Sequence, residues 1–223
     1  MRIMKDLPRK NIVSRRGRKG FELAGACLND TSSVVAFLRT RRSAEPAAIG
    51  AREPDEKQLA LILEAATRVP DHGKMEPWRF IVVKGAARAA FAQEIKARWM
   101  ALHPGETVDK RAQHDLVLRA GLTLVVVSRV IEHFKIPVWE QHLSAGASCL
   151  NIVSMATALG LAAQWRSGWL AEDAHVQRLL GLQANESIAG LIFIGGRDRK
   201  APAAEDRRRP YWQELTSYWT PPG

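Results

Sequence analysis

The stretch 139–159, WEQHLSAGASCLNIVSMATAL, constrains the fold more than any other. It reads as one long helix that is apolar almost all round, with the small residues SAGAS at 144–148 and Gly160 placed to end it. A helix without a broad polar face has to be buried among close neighbours, so the chain must wrap other elements around it. The rest of the sequence supplies them. RFIVV (79–83), LTLVVV (122–127), LAAQW (161–165) and IAGLIFIGG (188–196) read as short apolar strands. Val34, Phe37, Leu38 and Arg41 keep helical spacing behind a Ser32 or Ser33 cap, and Pro46 stops that helix near Ser43. A second helix opens at Asp55, in capping-box spacing with Gln58, and presents Leu59, Ile62, Leu63 and Ala66. It ends near Arg68, because Pro70 disfavours helical geometry at Val69. Residues 86–102 and 172–180 complete the helices. Strands mixed with helices in this way indicate an α+β or α/β domain.

Composition narrows the setting. With 46% apolar residues in 223, the chain can bury a core as one domain of ordinary size. No run approaches the roughly 18 apolar residues of a membrane span, and the opening residues lack the apolar segment of a secretory signal. The two cysteines, Cys27 and Cys149, make no disulfide framework. Cys149 reads as a small core residue, and a reducing cytoplasm is the expected compartment. The net charge of +10 invites a nucleic-acid reading, but eight Lys or Arg against one Asp lie within residues 1–20. A basic arm on a near-neutral body differs from a basic binding face. We therefore expect a flexible N-terminal extension over 1–30 and a single domain over 31–223, with nucleic acid not expected as a partner.

Familiar catalytic signatures are missing. Gly195-Gly196 follows a strand but is only a pair, and Gly73-Lys74 is followed by Met75, so neither a dinucleotide fingerprint nor a phosphate loop is present. No G-x-S-x-G and no H-E-x-x-H occur, the six histidines are scattered, and Glu140 and His142 are too close along one helix to share a face. No metal site is expected. An enzyme built this way must take its chemistry from a cofactor.

Basic residues gather at element ends. RTRRS (39–43) closes the first helix, Arg68 and His72 flank a Pro-Asp turn, QWRSG (164–168) follows the third strand, and DRRRP (206–210) comes late. Arginine forks and hydroxyls such as that of Ser43 suit a phosphate monoester, and Trp165 suits a planar ring. Each residue also has a plainer reading. Arg41 and Arg42 can be solvated at a helix end, His72 can bond within its own turn, and Asp71 can close an Asx turn. Trp78 and Trp165 can be core aromatics.

Taken together, RRSAEP (41–46), AATRVPDHGKMEPWRFIVV (65–83), IPVWEQHLSAG (136–146) and GLAAQWRSGWL (160–170) resemble the FMN-dependent nitroreductase family, and within it the small YdjA-like subgroup. The resemblance covers about residues 32–200. It implies an α+β fold, a central, mostly antiparallel sheet flanked by helices and assembled as an intertwined homodimer with FMN at the subunit interface. Carried over by position, it implies Arg41, Arg42 and Ser43 at the phosphate and the polar edge of the flavin, with Arg68 and His72 as further contacts. Trp165, Arg166 and Ser167 form the later binding segment, and Arg208 is a late phosphate ligand, with Arg207 or Arg209 as one-residue alternatives. The implied activity passes hydride from NADH or NADPH through FMN to a small acceptor such as a nitroaromatic or a quinone. The other readings are a flavin-binding sensor or carrier without turnover, and a nucleic-acid-associated protein acting through the basic arm.

Overall fold

Two strands whose central runs, 122–127 and 188–196, are apolar at nearly every position can be buried only between two layers, and that decides the architecture. The computed structural model describes residue 22, residues 28–108 and residues 113–222. In chain order the elements are α1 (Val34–Thr40), α2 (Glu56–Thr67), β1 (Trp78–Lys84), α3 (Ala87–Leu102), α4 (His114–Arg119), β2 (Leu122–Arg129), α5 (Val138–Ala158), β3 (Leu161–Arg166), α6 (Trp169–Glu172), α7 (Ala174–Leu179) and β4 (Glu186–Gly196). They fall into two compact units. One is Ser43–Pro202; the other takes its described residues from Met1–Arg42 and Ala203–Gly223.

The larger unit holds a sheet ordered β1-β2-β4-β3, antiparallel at every pairing. Strand alternation divides its side chains cleanly. Val125, Val127, Leu191 and Phe193 face Phe91, Ile95, Leu116, Val117, Leu170 and Val176 from α3, α4, α6 and α7. Leu122, Leu124, Val126, Ile192 and Ile194 face Leu59, Ile62 and Ala66 of α2 and Cys149, Ile152 and Ala156 of α5. The expected capping box forms: the Gln58 amide donates to the Asp55 carboxylate, and the Gln58 side chain accepts from the Asp55 amide. The Gly195-Gly196 pair lets the chain cross the end of β4. The Gly50 N–H donates to the Gly196 carbonyl at 2.8 Å, and a Cβ on Gly195 would lie inside the Gly50 carbonyl oxygen.

Several expectations change in detail. β1 is an edge strand and half-buried, with only Val83 fully enclosed, because a single neighbour, β2, covers it. The helix expected over 172–180 is α7, which starts at Ala174 because Asp173 caps it by accepting the His175 and Val176 amides, and the one-turn α6 before it was not expected. The short helix α4 carries no periodicity long enough to be read from sequence. α5 is not buried all round: Gln141, Ala145, Cys149 and Ile152 face inward, while Trp139, Leu143 and Leu150 are 61%, 63% and 46% exposed.

In the smaller unit Ser33 caps α1 through the Ala36 amide at 3.0 Å. The Asn29 side chain accepts from the Arg42 amide at 2.8 Å, and the Arg42 Nε donates to the Glu205 carbonyl at 3.1 Å. The apolar face expected of this helix is exposed at Val34 and Leu38. Cys27 and most of the basic extension lie outside the described residues. Among the described residues no helix is long and apolar enough to cross a membrane, and no group of side chains is arranged to hold a metal ion.

Candidate functional site

The turn between α2 and β1 concentrates polar and aromatic residues because it is assembled against α5. Asn151 donates to the Ala65 and Arg68 carbonyls at 3.0 Å each, adding to the Arg68 amide's own bond to Ala65 at the end of α2. The Ser144 hydroxyl donates to the Pro70 carbonyl at 2.7 Å and accepts from the Trp78 indole N–H at 3.1 Å. His72 Nδ1 meets the Glu140 carboxylate at 2.8 Å. Glu140, Ser144 and Asn151 are spaced four and seven apart, so they share one face of the helix. The Asp71 carboxylate accepts the Met75 and Glu76 amides at 3.0 Å each, the expected closure of the turn. Lys74 and Glu76 take positive φ values of 55° and 45°, an unusual geometry for residues with side chains. Arg68 and His72 are exposed at the rim of this turn.

A second group forms at β3. The Ala44 amide donates to the Ala163 carbonyl at 3.0 Å, which lays Ser43 and Glu45 beside the strand. Trp165 and Arg166 alternate to opposite faces of the sheet. Trp165 is 40% exposed, and its Nε1–H donates to the Ala189 carbonyl at 3.2 Å. Arg166 donates through Nε to the Gln164 side chain at 2.8 Å. Burial lowers its pKa, and the Glu45 carboxylate works against that. Ser167 is exposed, and its carbonyl accepts from Gln113 at 3.4 Å.

Around the circumference of α5, at 3.6 residues per turn, the exposed stripe Trp139, Leu143, Leu150 lies between two faces. One carries Cys149, beside the Trp165 indole; the other carries Glu140, Ser144 and Asn151. Trp165, beside Cys149, therefore lies to one side of the apolar stripe, and His72, bonded to Glu140, to the other. Beyond the turn, Glu132, His133, Phe134, Ile136, Pro137 and Val138 enclose a shallow pocket of about 450 Å³.

The smaller unit brings arginines together. Burial lowers the Arg41 pKa first, and the neighbouring charges of Arg209 and Arg42 lower it further. Arg209 also lies 3.7 Å from the Asp206 carboxylate. Arg208 is half-buried in the same run and Arg207 exposed. Arg209 thus joins Arg41 and Arg42 electrostatically, one residue beyond the position carried over from the resemblance. Sequence reasoning missed Asn151, Ser144 and Glu140, although their common helical face was a usable signal. Nothing local marked Gly190 beyond its being a glycine inside a strand.

An antiparallel sheet of four strands, wrapped by helices on both faces, makes this an α+β domain of nitroreductase-like architecture. A nitroreductase-like family protein from Bacillus cereus shares it with a TM-score of 0.71 at 22% identity, over 84% of this chain and 96% of that one. A nitroreductase with bound FMN from Bacteroides fragilis shares it with a TM-score of 0.59 at 21% identity, over 78% and 93%. In sequence the chain is 34% identical over 168 residues to "Putative NAD(P)H nitroreductase YdjA" of Escherichia coli strain K12, spanning 75% of this chain and 90% of that protein. Residues 38–196 match the nitroreductase family as a whole, and the chain belongs to that family.

Proposed function

We propose that this protein is an FMN-dependent NAD(P)H oxidoreductase of nitroreductase type, acting on a nitroaromatic, a quinone or another small acceptor. One observation carries the reading within the family: half-buried Arg41 and Arg209 and buried Arg42 gather in one unit, close enough for Arg209 and Arg42 to act on the Arg41 charge. Clustered guanidinium groups favour an anion bound beside them, in addition to the Asp206 carboxylate near Arg209. A phosphate monoester, with its charge of roughly −1.5 to −2, is such an anion. The donor set therefore fits the phosphate end of FMN. Arg208 is the alternative ligand from the same run.

Bound FMN supplies the chemistry of accepting a hydride at N5 and passing it on. The residues of this chain bind and orient. Arg41, Arg42 and Arg209 hold the phosphate through charge-assisted hydrogen bonds. Ser43 offers a hydroxyl beside β3, and Arg166 a cation that favours negative charge nearby. Trp165 offers a partly exposed indole as a packing surface for a planar ring. Arg68 and His72 stand exposed at the rim of the 68–77 turn, where His72 is held by Glu140. No residue here is assigned as a nucleophile or a catalytic acid.

The same reading makes the active species a homodimer with FMN at the subunit interface. It is supported by the exposed stripe Trp139, Leu143 and Leu150 on α5 and by the exposed Trp212, Leu215, Tyr218 and Trp219 near the C-terminus, which a second copy would cover. A free, buried Cys149 suits a reducing cytoplasm.

An absorbance spectrum of the purified protein, followed by anaerobic titration with NADH and with NADPH, tests the assignment. A flavin spectrum bleached by one or both nicotinamides and restored by a nitroaromatic or quinone is expected. A protein that takes up no FMN when supplied with it overturns the reading. One that is yellow but is not bleached by either nicotinamide is a carrier or sensor instead.

A further inference from the structure

β4 is irregular at one place. Opposite β2, Val126 pairs with Gly190 and Val127 with Ile188, so Ala189 is an extra residue in the ladder. Such a bulge bends the strand and re-aims a group, often beside a functional site. Here the Ala189 carbonyl accepts the Trp165 indole N–H at 3.2 Å. Trp165 pairs through its backbone with Ile192, so Gly190 is its diagonal neighbour on the same face of the sheet. The indole fills the place a side chain at 190 would take. A Cβ there would lie 2.6 Å from the indole Cδ1, closer still to Nε1, and 3.1 Å from the Cys149 sulfur. Gly190 does not have a positive φ, so its backbone gives no reason for glycine. The reason is the ring lying on it.

We infer that the Ala189 bulge and Gly190 form a cradle that fixes the orientation of the Trp165 indole, making them positioning residues for the planar ring that packs on it. This rests on the reading of Trp165 as a flavin contact. The physical argument is preorganisation. An indole anchored at Nε1 and seated against Gly190 has lost its rotational freedom before any ligand arrives. The ordering cost is then not charged to binding. The remaining 40% exposure leaves ring surface available for an offset or tilted contact with a second aromatic system. A tryptophan held only for core stability would gain most by full enclosure. This one is held firmly at the sheet's edge strand, β3, and left partly open.

The test uses four full-length proteins: the parent, Gly190→Ala, Trp165→Ala and the double variant. Each is measured without flavin for its thermal midpoint and then for FMN affinity by flavin fluorescence. Gly190→Ala is expected to lower the midpoint by about 5 °C in the parent and to weaken FMN binding about tenfold. In the Trp165→Ala background it should do neither, because the clash is gone and only a small adjustment at Cys149 is needed. If Gly190→Ala fails to fold while the double variant folds, the cradle is equally supported. Equal losses with and without Trp165, failure of both proteins to fold, or an unperturbed Gly190→Ala would overturn it. If the stability effect depends on Trp165 but Trp165→Ala binds FMN like the parent, Trp165 is not a flavin contact. The positioning role then falls for that separate reason.

Discussion

Replacing Arg79 with Met should make stability depend less on acid, and the size of the effect follows from the geometry. Arg79 Nε and Nη2 each donate to the Glu186 carboxylate at 2.7 Å, and the Gln183 amide donates to it at 2.9 Å. The Glu186 side chain is 5% exposed and that of Arg79 31%. The pair ties β1 to the start of β4 across β2. Two charge-assisted bonds would be worth about 3 kcal/mol if fully enclosed. Water reaches the arginine, and Arg129 also favours the Glu186 charge, so about 2 kcal/mol is the expected loss near neutral pH. That corresponds to a thermal midpoint lower by roughly 6 °C for a chain of this size.

The pH dependence has a definite sign. Hydrogen bonding from Arg79 is the chief cause of the lowered Glu186 pKa. A carboxyl with a depressed folded-state pKa adds stability above the ordinary carboxylate range and loses it as pH falls through the folded value. The parent should therefore lose more stability than Arg79→Met between pH 7 and about pH 3, and the two urea-unfolding curves should converge in acid. A deficit of equal size at both pH values would show that lost packing of the arginine stem, not the ion pair, carries the effect.

Three further outcomes are expected. Asn151→Ala removes both bonds to the end of α2 and should cost about 2 kcal/mol in urea unfolding, with faster hydrogen exchange confined to residues 65–76. Burial pushes the Cys149 thiol up to about 12, so iodoacetamide at pH 8 should modify it only once the protein is unfolded; rapid labelling of the folded protein would refute its enclosure. Arg41→Ala should weaken FMN binding by about tenfold or more, read by flavin fluorescence, and an unchanged affinity would remove Arg41 from the phosphate site.

Much of this was legible in the chain before it folded. The apolar runs at 122–127 and 188–196 announce strands covered on both faces, because an uncovered face would have alternated with polar residues. Asp55 and Gln58 announce the start of α2, since a capping box acts over four residues and needs nothing distant. The buried positions of α2 follow from helical spacing alone. Such features are local, and local physics is written in consecutive residues.

What only the tertiary structure decided was non-local. His72 finds Glu140, a residue 68 positions away, once α5 is laid along the turn. Arg41 feels Arg209 only where the two ends of the chain meet in one unit. Gly190 is a cradle rather than a weak spot in a strand because antiparallel register and one extra residue bring the Trp165 ring over it. Register and topology arise from the whole core choosing one arrangement. No short stretch of sequence contains that choice, and so these pairings could be read only from the fold.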